Sequence, residues 1–201
     1  MLMRNLATAA AGALLLGAAA FAPAPAAAQD DTWTFDKTHA DVVFRIDHLG
    51  YSNTWGRFGD VDGVIVFDGE NAANASVEAT MAAMSIDTNL DKRDEHLRSG
   101  DFFKVEEFPE VTFKSTAIEV TGENTANITG DLTMLGVTKP VVLAATLNKA
   151  APHPRDPNLL VAGFTATTSI MRSDWGMSYG VPAIGDQVDI FLDVEATRPA
   201  N

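Results

Sequence analysis

The sequence predicts an all-β fold: an extended antiparallel β-barrel of about eight strands, with one short helix capping a barrel end. Three observations predict it. Apolar and polar residues alternate along most of the chain, turn-rich pieces cut that alternation at even intervals, and the strands so marked are long. Twelve residues at about 3.3 Å each reach roughly 40 Å, which leaves a barrel axis near 30 Å after tilting, whereas sandwich strands are usually nearer five or six residues.

The elements follow in order. Arg4 precedes an apolar stretch from Leu6 to about Phe21, and a Pro/Ala segment ends in Ala26-Ala27-Ala28. This is the layout of a secretory signal peptide, so residues 1–28 are expected to be cleaved after export, leaving 29–201 as one domain in the periplasm. The apolar stretch, about 16 residues, is shorter than the roughly 20 that span a bilayer.

The first strand runs from about Phe35 to Leu49, with Val42, Phe44, Ile46 and His48 on one face and Asp41, Val43, Arg45 and Asp47 on the other. From Asp60 to Asp68, Val61, Gly63, Ile65 and Phe67 share a side, and Val77, Ala79 and Met81 alternate likewise. Val111, Phe113 and Ser115 follow, then strands at Ala126–Met134 (with Leu132 and Met134), Val141–Leu147, Leu160–Ile170 (with Phe164, Ala166 and Ile170) and Gln187–Ala196. In the last, Val188, Ile190, Leu192 and Val194 oppose Asp189, Phe191, Asp193 and Glu195. Gly69-Glu70-Asn71, Thr121-Gly122-Glu123-Asn124 and Pro152-His153-Pro154 mark turns. One segment argues for helix, roughly Leu90 to Phe102, with Thr88 or Asn89 as cap and Gly100 as stop.

Composition narrows the function. There is no cysteine, which excludes thiolate metal sites, disulfides and a lipid-modified N-terminal Cys. A net charge of −13 repels phosphate backbones and anionic headgroups, so neither nucleic acid nor a stable membrane association is expected. No serine sits in a Gly-x-Ser-x-Gly elbow, and no carboxylate pair stands out among 27 acidic residues, so no catalytic residue is assigned. The four histidines form no ligand-spaced pair: His39 and His48, nine apart, face opposite sides of a regular strand. No metal site is assigned.

The inward faces are expected to line a cavity, namely Val42, Phe44, Ile46, His48, Ile65, Phe67, Val77, Ala79, Phe113, Leu132, Met134, Phe164, Ala166, Ile170, Ile190 and Leu192, joined by Phe58, Met84 and Phe102. Ala79, Gly63, Gly130 and Gly163 are expected to leave room inside. Arg93 and His96 share a helix face; they either meet a ligand headgroup at the barrel mouth or form a polar clamp that holds the helix as a plug. Trp175 is expected to cover a barrel end, with Arg172 and Asp174 satisfying each other or local backbone.

These residues carry a resemblance. Phe35-Asp36-x-x-His39, His48-Leu49-Gly50, Gly56-Arg57-Phe58, Ser85-Ile86-Asp87-Thr88, Arg93-Asp94-x-His96-Leu97, Asp101-Phe102-Phe103, Phe108-Pro109, Thr129-Gly130-Asp131-Leu132-Thr133, Gly136-Val137-Thr138-Lys139 and Arg172-Ser173-Asp174-Trp175-Gly176-Met177 occur in an order that resembles the YceI-like family of periplasmic polyisoprenoid-binding proteins. Ala40, Leu135 and Trp175 depart from the usual Ser, His and Phe. The resemblance implies a lipocalin-like barrel whose elongated apolar pocket holds a polyisoprenoid, an isoprenoid quinone or a similar long-chain lipid, for transport, storage or stress response, without a catalytic cofactor. Whether two chains pair as a homodimer is left open. The rival expectations are a periplasmic protein that traffics metal or haem, and a stress-related barrel with no internal ligand.

Overall fold

The computed structural model describes residues 31–67 and 71–200. The expected signal peptide, the Asp68 end of the second strand and the Gly69-Glu70 turn lie outside the described residues. Ten strands are present: β1 (Thr32–His48), β2 (Ser52–Phe58), β3 (Val61–Val66), β4 (Ser76–Ala82), β5 (Ile86–Asp87), β6 (Glu110–Val120), β7 (Thr125–Met134), β8 (Val137–His153), β9 (Asp156–Met171) and β10 (Ile184–Pro199). All pairings are antiparallel, and the pairing of β10 with β1 closes the sheet into an 8-strand barrel of β1, β3, β4 and β6 to β10.

β1 holds the closure together by changing neighbours. Its first residues, Thr32 to Thr34, pair with β3, while Val42 to His48 pair with β2 on the same side. Between them Phe35 sits opposite Ala196 and Ala40 opposite Val194, so Asp36 to His39 form a bulge. The bulge shifts the alternation: Trp33 and Phe35 are buried before it, Ala40 and Val42 after it. A Pro-free run of simple alternation does not announce that shift. Asp36 does, because its carboxylate accepts from the Thr38 backbone N–H at 2.9 Å, from Thr38 Oγ1 at 2.7 Å, and bonds His39 Nδ1 at 2.8 Å.

Because β2 and β5 hang from β1 on one side while β6 continues from β4, that side of the barrel needs a filler. The helix α1 (Asp91–Arg98) supplies it. Arg98 donates to the carbonyls of Met84 and Ile86, at 2.9 and 2.7 Å, and Phe103 N–H bonds Leu97 O, which returns the chain toward β6.

Several expectations are corrected here. The helix is five residues shorter than the sequence pattern: Leu90 is its N-cap and Ser99 its C-cap, so Gly100 does not end it. Thr88 contributes from outside, by donating to Asp94 rather than by capping. β2 was not foreseen because its apolar pattern is inverted: Gly56 and Phe58 are the buried residues, while Trp55 faces out and stacks on Phe191 at 5.7 Å. The two residues of β5 are too few to show any period.

The core forms two layers that merge along the axis. One is built on Trp33, Phe35, Val42, Phe58, Ile65, Ala162, Val194 and Ala196, the other on Phe102, Val111, Leu132, Met134, Ile170, Trp175 and Met177. The inward glycines do not leave empty space. A methyl group on Gly63 would sit 2.6 Å from the Phe35 ring, and one on Gly130 would sit 2.3 Å from the Phe113 ring, so these glycines let aromatic rings lie flat against the wall. Gly163 has nothing within 4 Å of such a methyl and lies on the outer face, opposite in alternation to the buried Ala162.

Candidate functional site

A cavity of about 390 Å³ runs inside the barrel. Its wall is built as the strand faces dictate. β1 contributes Val42, Phe44, Ile46 and His48; β2 contributes Thr54 and Phe58; β4 contributes Val77, Ala79 and Met81; β6 and β7 add Phe113, Leu132 and Met134. Ile170 comes from β9, and Val188, Ile190, Leu192 and Val194 from β10. Arg93, His96 and Leu97 of α1, with Phe102 and Phe103 beyond it, close the side that β2 and β5 leave open.

Exposure along the wall distinguishes the ends. Asp47, His48, His96 and Tyr179 border the cavity and reach solvent, so they mark a mouth. Phe35, Val61 and Val194 border it next to Trp33, Ala162 and Ala196, which are buried in the same core layer and do not border it, so they mark a floor.

The mouth is held by two polar constructions. In the first, Thr88 Oγ1 donates to buried Asp94, whose carboxylate also accepts the Thr88 N–H at 2.9 Å, while Arg93 donates through Nε to Thr88 Oγ1 and through Nη2 to Thr88 O, both at 2.6 Å. Arg93 is thus a clamp for the helix and a wall residue at once. In the second, the guanidinium of Arg172, only 2% exposed, donates to the carbonyls of Gly185 at 2.8 Å and of Met177 and Tyr179 at 2.9 Å. Burial lowers its pKa from the usual arginine value. This cradle organises residues 176–184, which present Tyr179 to the mouth. Of the two expected arrangements, Arg172 therefore takes local backbone rather than Asp174, and Asp186, whose carboxyl is held below the usual range, accepts the Ser173 N–H at 2.9 Å and the Ser173 hydroxyl at 2.6 Å.

Three rings meet where these constructions converge. His96 lies edge-on to Phe102 at 5.0 Å and to Tyr179 at 5.2 Å, and Phe102 and Tyr179 are 5.2 Å apart. Asp101 orients the His96 ring through Nε2 at 2.8 Å. Sequence reasoning missed Tyr179, since it sits in an irregular loop whose course depends on carbonyls bonding Arg172. It also passed over Leu97 and Phe103, which face inward only because of where the helix lands.

Some expected wall residues lie elsewhere. Ile65 is buried, and Phe67 and Phe164 pack on the core layer beyond the floor, where the barrel is solid. Ala166 shares the inward face of β9 but does not border the cavity. Trp175, 3% exposed, donates Nε1–H to Leu132 O at 3.1 Å and underlies the barrel end without touching the cavity. Met84 is 50% exposed in a 3₁₀ turn outside the barrel, because the turn between β4 and β5 points it away.

The histidines separate as well. His48 borders the mouth, and His39 stands on the outer bulge, its pKa raised chiefly by the hydrogen bond to Asp36 and then by Glu195. Asp36, His39 and Glu195 are the described residues whose ligand atoms group within 4.8 Å, and the bulge geometry already employs the first two. Among the described residues, no helix is long and apolar enough to cross a membrane.

Comparison with known proteins gives one consistent answer. A YceI-like domain matches residues 33–196. A UPF0312 protein of Pseudomonas aeruginosa is 40% identical over 186 residues, covering 92% of this chain and 96% of that one. Burkholderia cenocepacia BcnA superimposes with a TM-score of 0.72 at 24% identity, over 80% of this chain and 98% of that one. A polyisoprenoid binding domain from Saccharophagus degradans superimposes with a TM-score of 0.66 at 14% identity, over 83% of this chain and 98% of that one. The chain belongs to the YceI-like family.

Proposed function

We propose that this protein is a carrier that takes a slim, long-chain lipid of the polyisoprenoid or isoprenoid quinone type into its barrel, and that it works in the periplasm after losing residues 1–28. The observation that carries this reading is the apolar cavity of about 390 Å³ with an exposed mouth and a buried floor. The polyisoprenoid-binding neighbour of the same fold supports the ligand class, and the family points to binding proteins rather than enzymes. The signal-like N-terminal sequence supports the compartment.

The energetics follow from the wall. Each buried methylene is worth about 0.8 kcal/mol, so a tail burying a dozen gains nearly 10 kcal/mol before ordering costs, which corresponds to affinity near micromolar or somewhat tighter. Apolar contact is non-directional, so such a carrier discriminates by girth and length more than by identity. Native mass spectrometry of protein purified from a membrane-containing lysate tests the proposal. A co-purifying lipid, or uptake of a polyprenol probe, is expected; a barrel that emerges without lipid and takes up no probe sinks it.

A further inference from the structure

The cavity does not run the length of the barrel, and that has a consequence for the ligand. Phe35 borders the cavity and packs its ring on Gly63 of the neighbouring strand β3, so close that a methyl there would meet the ring at 2.6 Å. Val194 and Val61 border the cavity as well, at 9% and 3% exposure. Behind them Trp33, Ile65, Ala162 and Ala196 fill the section, and the Arg198 guanidinium stacks over Trp33 at 4.9 Å. A tail entering at His48 and Tyr179 therefore meets a floor.

Depth can be read along β10, whose wall residues run from Ile184 at the mouth to Val194 at the floor. β10 bulges between Ile184 and Val188, where four residue steps oppose two of β1, so the span is set by the eight steps from Ala40 to His48; at roughly 3.3 Å each, tilted by about 40°, they give a depth of roughly 20 Å. An isoprene unit has four main-chain bonds of about 1.5 Å in a zigzag, so it advances about 4–5 Å. We infer that the barrel is a blind tube that accepts about five isoprene units, with Phe35 and Val194 setting that limit, and that any longer prenyl tail leaves its remaining units outside the mouth. This rests on the carrier reading above and adds a length limit to it.

The test is a series of linear prenols from two to nine isoprene units, delivered from cyclodextrin and titrated against the full mature protein. Affinity is expected to rise by about tenfold or more with each unit up to four. Between five and nine units it is expected to change by less than about threefold, because the added carbons stay in water. Val194→Phe, which thickens the floor, moves the plateau about one unit earlier, and Phe35→Leu, which thins it, moves the plateau later. A rise that continues unabated from five to nine units overturns the length limit while leaving the carrier intact. So does a folded Val194→Phe protein with an unmoved plateau. Failure of every prenol to bind overturns both.

Discussion

Asp36, His39 and Glu195 show how much a few exposed groups can settle. Asp36 carries a pKa lowered to about 2, chiefly by its hydrogen bond to His39 and then by Thr38. His39 is shifted upward by the same bond. A raised histidine stabilises the native state fully below its unfolded value, about 6.5, and loses that contribution as pH rises through the raised value. A lowered carboxyl contributes above its unfolded value, about 3.9, and loses that as pH falls toward 2. The bulge is therefore best held between roughly pH 4 and 6.5. An NMR titration is expected to place His39 above the ordinary histidine value, with Asp36→Asn reversing more of the shift than Glu195→Gln. An unshifted His39 in the wild type would show that the bulge is not clamped this way. The motif containing these residues was legible in the sequence as a recurring pattern, but its role was not, because alternation alone gives no sign that four residues oppose one.

At the scale of elements, the sequence told most about strands with a clean apolar face and least about parts that depend on distant partners. β7 and β9 alternate as their burial does, whereas β6 and β8 change face at register shifts between Ser115 and Ala117 and between Leu147 and Lys149. β2 carries glycine inside and tryptophan outside, because the Phe44 ring occupies the space a side chain on Gly56 would need, at 2.3 Å from such a methyl. The helix was legible as a helix, yet its anchor at Asp94 was not, because the partner, Thr88, lies before the first turn. Asp94→Ala removes an acceptor from two buried donors and is expected to cost about 2 kcal/mol. Hydrogen exchange is expected to quicken in α1 while β7 to β10 keep their protection. Equal loosening of barrel and helix would mean that α1 is part of the barrel's cooperative unit rather than a side closure.

The same contrast between predicted space and filled space can be exploited in the cavity wall. Ala79 borders the cavity from β4, whereas Gly163 looks outward from β9. Ala79→Trp is expected to leave the barrel folded, by circular dichroism, while reducing prenol uptake at least tenfold, since the indole occupies volume the tail needs. Gly163→Trp adds the same bulk to the outer face and is expected to keep uptake. If Ala79→Trp unfolds the protein, the interior around β4 is packed too tightly to admit a ligand.

For the whole molecule, an unfilled apolar cavity is a standing cost to the native state, because its lining forgoes dispersion contacts that a tail would restore. Ligand and fold are then linked. A tail that binds only the folded barrel stabilises it by about 2.7 kcal/mol at a hundred times its dissociation constant. For a domain of about 170 residues this corresponds to a rise of roughly 5–10 °C in Tm. The helix side and the mouth loop are the parts held by few strands, so the gain should be largest there, while the floor around Trp33 and Ala196, already solid, should change little. Differential scanning calorimetry of delipidated and prenol-loaded protein, paired with hydrogen exchange, separates the two. A Tm that rises with prenol concentration, together with protection gained at residues 91–103 and 176–184, is the expected result. A Tm indifferent to prenol would mean that the lipid touches only the surface, and a gain confined to the floor would place the tail in a part of the barrel that its own side chains already occupy.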